Sequence, residues 1–112
     1  MKVYHNPRCR KSRESIAYLE ENGVSPDIIL YLEEGLKKKE IEDLLTYLDA
    51  DIQDIIRKEE SVFKENYKGK ELTKTQWIKA LLDHPKLLQR PIITNGKKAV
   101  IGRPKENIDQ LL

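Results

Sequence analysis

The stretch Tyr4-His5-Asn6-Pro7-Arg8-Cys9-Arg10-Lys11-Ser12-Arg13 holds the single cysteine of the chain, with four cations close by and a histidine upstream. A buried structural cysteine behaves as a small hydrophobe and gains nothing from charged neighbours, whereas a reactive one needs positive potential to hold its thiolate. A free thiol, with a pKa of about 8.5, is mostly protonated at neutral pH. The flanking cations and the peptide N–H groups of a helix starting after Cys9 are expected to lower that value, and a protonated His5 would add to the effect. The pattern points to a thiolate nucleophile.

Counting positions removes two kinds of cysteine enzyme. A phosphatase-type loop needs an arginine six residues after the nucleophile, where this chain has Ser15, and Arg13 comes too early. A dithiol redox pair needs a second cysteine three residues on, where Ser12 stands. With one cysteine no internal disulfide forms, so a resolving thiol must come from another molecule.

The 112 residues suit one domain, 1-112, with a single core. Charged residues make up 36 % of the chain while the net charge is only +2, a mixed surface that argues against a nucleic-acid binder. No apolar run approaches the roughly 20 residues of a membrane span. Lys2 is followed by no signal-peptide core, so the expected setting is cytoplasmic, without membrane contact, where reducing conditions keep Cys9 free. Two histidines and one cysteine at no ligand spacing predict no metal site and no bound cofactor. His84 reads as a helix-end residue, and the charge run at Lys37 to Asp43 as a solvated helix start.

These residues need a scaffold, and the hydrophobic pattern supplies an α/β one. Lys2 to His5 reads as a strand, Ser12 to Asn22 as a helix with Ile16 and Leu19 inward, and Asp27 to Leu32 as a strand apolar enough to be covered on both sides. Ile41, Leu44, Leu45 and Leu48 follow helical spacing, and Ile52, Ile55 and Ile56 predict a second, shorter amphipathic helix. Thr73 is the expected N-cap of a third, with Trp77, Leu81 and Leu82 inward and Pro85 past its end. The polar segment Ser61 to Leu72 has no clear pattern. Pro91 to Thr94 and Lys98 to Ile101 flank Asn95-Gly96, which suits a type I′ hairpin turn, and Pro104 is placed to open a last helix carrying Ile108, Leu111 and Leu112. The order βαβ, helices, ββα is that of a thioredoxin-like fold, a mixed four-stranded sheet with a helical insertion at about 37-88. In that fold Pro91 is expected in the cis form beside the cysteine.

Five fragments, "YHNPRCRKSR", "IILYLEE", "IIRKEE", "HPKLLQRPII" and "IGRPKENI", occur in the order and spacing of the ArsC family, and the chain resembles its glutaredoxin-coupled arsenate reductases along nearly its whole length. The resemblance implies a catalytic cysteine at Cys9 and three oxyanion-holding arginines at Arg57, Arg90 and Arg103, with His5, Ser12 and Pro91 in support. It implies arsenate as substrate, glutathione as co-substrate and glutaredoxin as partner. Arginine forks suit a tetrahedral oxyanion with paired oxygens. The family also contains Spx-type regulators, which bind RNA polymerase and sense oxidation through a cysteine pair. Ser12 removes that pair here, and the three arginines favour the enzyme over this non-enzymatic alternative.

Overall fold

Four strands form one sheet in the order β2-β1-β3-β4, where β1 is Lys2–Tyr4, β2 Asp27–Ile29, β3 Ile92–Thr94 and β4 Ala99–Ile101. They are seen in a computed structural model that describes every residue from Met1 to Leu112. β1 runs parallel to β2 and antiparallel to β3, and β3 runs antiparallel to β4, so the sheet is mixed. Side chains alternate across a strand. Val3, Ile93 and Val100 therefore join one core, and Tyr4, Ile92 and Ala99 the other.

Helix α1 (Arg10–Glu21) and a C-terminal 3-10 segment (Lys105–Leu111) cover the first face through Leu19, Ile108 and Leu111. The second face is covered by elements between β2 and β3: α2 (Tyr31–Glu34), α3 (Lys38–Leu48), a 3-10 turn (Ile52–Ile55), α4 (Ser61–Asn66), α5 (Lys74–Asp83) and a 3-10 turn (Pro85–Leu87). α3 buries Ile41, Leu44 and Leu45 at i, i+3 and i+4, and each such side chain contributes roughly 1.5–3 kcal/mol. Thr73 caps α5 by accepting from the Gln76 N–H at 3.2 Å, while the Gln76 side chain accepts from the Thr73 N–H at 2.9 Å. Trp77 and Leu81 are buried as expected, and Leu82 only in part. This is the thioredoxin-like fold with its helical insertion. No helix is long and apolar enough to cross a membrane.

Several local expectations change. α1 begins at Arg10, two residues early, and its inward stripe is Ser12, Ser15 and Leu19, with Ile16 only half-buried. The apolar run at Asp27 to Leu32 is not one covered strand. β2 ends at Ile29 and lies at the sheet edge with Ile28 exposed, after which the chain turns into α2. The expected helix over Ile52 to Ile56 is only one 3-10 turn, Ile52–Ile55, because Ile56 is drawn into extended pairing with Leu88. The hairpin loop spans four residues, Asn95 to Lys98, and of its central pair only Gly96 has a positive φ, so the turn is not type I′. The Asn95 side chain instead accepts from the Lys97 and Lys98 N–H groups. Pro104 precedes the last segment in an extended conformation, and that segment winds as 3-10, with Leu112 exposed. The patternless Ser61 to Leu72 contains α4.

Candidate active site

Cys9 closes a turn and opens a helix. Its N–H donates to the Asn6 carbonyl at 3.0 Å and the Arg8 N–H donates to Asn6 Oδ1 at 3.0 Å, so the loop after β1 delivers Cys9 to the N-cap of α1. Ser12 locks that loop to the helix. Its hydroxyl is fully buried, accepts from the Asn6 N–H at 3.1 Å and lies 2.5 Å from His5 Nδ1. Burial first, and then the charge of Arg13, hold the His5 imidazole below its ordinary pKa, so His5 is a neutral partner of Ser12 at neutral pH. A neutral imidazole adds no charge to the surroundings of the thiol.

The thiol itself is pulled both ways. Burial pushes it up, yet the peptide N–H of Ser12, the charge of Arg90, the side chain of Arg103 and the N–H of Lys11 together bring it below the ordinary cysteine value. The thiol makes no capping hydrogen bond, so the N–H groups at the helix start act by favouring its ionised form. The cations that act most on it come from far along the chain. Three of the four local ones turn elsewhere: Arg10 and Lys11 pair with Glu14 at 3.0 and 3.6 Å, and Arg13 donates to the Pro7 carbonyl at 2.9 Å. Alkylation of Cys9 should accordingly show a rate midpoint below the roughly 8.5 of a free thiol. A midpoint at or above that value would remove the electrostatic account.

Backbone pairing brings the distant arginines in. Gly102 N–H donates to the Pro91 carbonyl at 2.9 Å, and a Cβ at Gly102 would meet Ser15 Oγ at 2.5 Å and Ile93 Cδ1 at 2.9 Å. Only glycine allows this close approach of the loop after β4 to α1. Arg103 follows at once: its Nε donates to the Arg90 carbonyl at 2.8 Å, and its Nη2 stands 3.4 Å from Cys9 Sγ. The Arg90–Pro91 peptide is cis, as expected, and Arg103–Pro104 is cis as well. Arg57 is positioned by the Ile56 to Leu88 bridge and by its own N–H, which donates to the Leu87 carbonyl at 2.7 Å. Its guanidinium pairs with Glu60 at 3.1 Å and Glu59 at 3.5 Å.

Arg57 also lines a cavity of about 550 Å³ with His5, Arg8, Tyr31 and Glu60. The buried Tyr31 phenol connects cavity and thiol. Burial pushes it up to about 12 against the pull of Arg90 and Arg57, and the charges of Cys9 and Glu60 act on it too. The buried Nε groups of both Arg57 and Arg90 have no hydrogen-bond partner. Buried donors normally find one; that of Arg57 faces Glu59 at 3.5 Å, while that of Arg90, whose charge acts on Cys9, suits an anion oxygen. Tyr31 and Glu60 were not singled out from sequence. Both lie within the quoted fragments "IILYLEE" and "IIRKEE", but nothing in a tyrosine before two glutamates, or a glutamate in a charged run, marks a site.

The ArsC family model matches residues 4–111. The chain belongs to the ArsC family. Among its relatives, the arsenate reductase of Haemophilus influenzae is 38% identical over 112 residues, covering 98% of this chain and 97% of its own. The uncharacterized protein YfgD of Escherichia coli is 41% identical, covering 100% of this chain and 96% of its own. A solved structure of the arsenate reductase from Vibrio cholerae superposes with a TM-score of 0.91 at 38% identity, covering 100% of this chain and 98% of that one. In this ArsC family member Arg103 stands 3.4 Å from the Cys9 sulfur and Arg90 acts on it through its charge, while Arg57 lines the cavity beside the loop before Cys9, which Cys9, Arg90 and Arg103 do not line.

Proposed function

We propose that this ArsC family protein is an arsenate reductase with Cys9 as its nucleophile. The observation that carries the reading is the Arg103 guanidinium 3.4 Å from Cys9 Sγ, with Arg90, whose charge acts on the same thiol, holding a buried Nε that has no hydrogen-bond partner. A purely regulatory, polymerase-binding role leaves that donor unexplained. The relatives named arsenate reductase, similar over their full length, support the same substrate.

Arsenate binds with its oxygens on the three guanidinium groups, and the Cys9 thiolate attacks arsenic, displacing one oxygen as water once it is protonated. This gives a thiol-arsenate adduct. A glutathione thiolate then attacks the Cys9 sulfur, and the electron pair of the sulfur–arsenic bond stays with arsenic, which leaves as arsenite. Arsenic gains two electrons, and the two sulfurs lose them in forming a mixed disulfide. Glutaredoxin removes the glutathione and returns the Cys9 thiol. Such a cycle belongs to the reducing cytoplasm.

The test is an arsenate reduction assay with glutathione and glutaredoxin supplied. The expected result is arsenite formation that depends on protein and on both thiol donors, and arsenite no faster than in the protein-free mixture would refute the reading.

A further inference from the structure

Ser12 stands where two hydrogen bonds cross. It is fully buried, its Oγ lies 3.1 Å from the Asn6 N and 2.5 Å from His5 Nδ1, and the chain offers that hydroxyl no other partner. A serine hydroxyl has one proton to donate, and its oxygen accepts. The Asn6 N–H only donates, so the hydroxyl accepts there and its own proton goes to His5 Nδ1. Nδ1 is then the bare nitrogen of the ring, and the ring proton is on Nε2. The other two states, the Nδ1–H tautomer and the imidazolium, both aim an N–H at the hydroxyl and strand its proton in a fully buried place. Burial of the imidazole and the charge of Arg13 disfavour the imidazolium as well.

The same residue reaches the sulfur from two sides. Asn6, held by its N–H on Ser12 Oγ, accepts the Cys9 N–H on its carbonyl at 3.0 Å and the Arg8 N–H on its Oδ1 at 3.0 Å. From the helix side, the peptide N–H of Ser12 is the largest of the influences that favour the Cys9 thiolate. Ser12 thus anchors the loop that carries the thiol and supplies the dipole that the thiol feels.

We propose that Ser12 is the positioning residue of the Cys9 site: its hydroxyl holds His5 as the neutral Nε2–H tautomer and, through Asn6, fixes Cys9 against the N–H groups that open α1. This deepens the reading of Cys9 as the nucleophile and rests on it. His5 acts there as the acceptor that orients Ser12.

The experiment uses the intact chain and no arsenate, so its failure is distinct from failure of the reductase assay. Long-range 1H–15N NMR correlation at neutral pH reads the tautomer of His5, whose signals are assigned by their loss in His5→Asn, with His84 as the only other histidine. The pH midpoint of Cys9 alkylation is read on the same samples, the fold of each variant checked by circular dichroism. In the native chain His5 should show Nδ1 bare and Nε2 protonated. Ser12→Ala should mix the tautomers of His5 and raise the Cys9 midpoint toward the value of a free thiol, about 8.5. His5→Asn, whose Oδ1 accepts where Nδ1 did, should keep the midpoint nearer to the native value than His5→Ala, which leaves the Ser12 proton without an acceptor. A serine that merely fills space would leave the His5 tautomer unmoved when replaced by alanine. Nδ1 protonated in the native chain, either readout unchanged in Ser12→Ala, or equal midpoints in His5→Asn and His5→Ala overturns the proposal. The native tautomer and the two His5 variants test it even where Ser12→Ala fails to fold.

Discussion

Replacing Cys9 with serine should abolish arsenite formation and the glutathione adduct together. Reduction of arsenate takes two electrons, which disulfide formation supplies, but a disulfide needs two sulfurs and the chain contains one cysteine. In the proposed cycle the second sulfur is borrowed, so an intermediate with Cys9 joined to glutathione should accumulate when glutaredoxin is withheld. Acid quenching after limited turnover, followed by intact-protein mass spectrometry, should find one glutathione on the native chain and none on Cys9→Ser. Adding glutaredoxin should restart the stalled native protein. The serine hydroxyl cannot stand in, because its oxygen stays protonated where the Cys9 sulfur, below its ordinary pKa, ionises. Activity retained by Cys9→Ser, or arsenite at full rate without any thiol donor, would exclude the proposed chemistry.

The next largest effects belong to the arginines. Arg90→Ala removes a half-buried guanidinium whose Nε has no partner, and whose charge helps lower the thiol pKa. Losing a charge-assisted contact of this kind costs about 1.5–3 kcal/mol, or roughly 10-fold to 100-fold in kcat/KM for arsenate. Arg103 is exposed, so solvent screens it and the cost of its contact with the oxyanion should sit toward the low end of that range. Arg103→Ala should nonetheless shift the alkylation midpoint of Cys9 upward, because its Nη2 is the side-chain donor 3.4 Å from the sulfur. Lysine at either position should rescue only in part, since it keeps the charge and loses the planar fork. Kinetics unchanged in both alanine variants would place the oxyanion elsewhere.

What the amino-acid sequence determines here is mostly local. The N-cap of α5 at Thr73 and the periodic face of α3 both depend on residues within a few positions of one another. Such signals survive whatever the rest of the chain does. The element order is legible too, and with it the thioredoxin-like fold, because strands and helices differ in hydrophobic period. Arg90 and Arg103 could be nominated only by motif resemblance, since an arginine in isolation is ordinarily a solvated charge.

Tertiary structure decided the rest, and for three physical reasons. Pairing overrode periodicity where Ile56 met Leu88 and ended a helix after one turn, and sheet position overrode composition where β2 became an edge. Burial set the state of His5, whose imidazole is held below its ordinary pKa beside Ser12. Distance did most. Arg10 and Lys11, adjacent to Cys9 in the chain, are drawn to Glu14, while Arg90 and Arg103 are brought to the thiol by the cross-strand pairing of β3 with β4 and the close approach at Gly102. An electrostatic field acts through space, so the charges that matter to a thiol are those the folded backbone places around it and not those that precede and follow it in the chain.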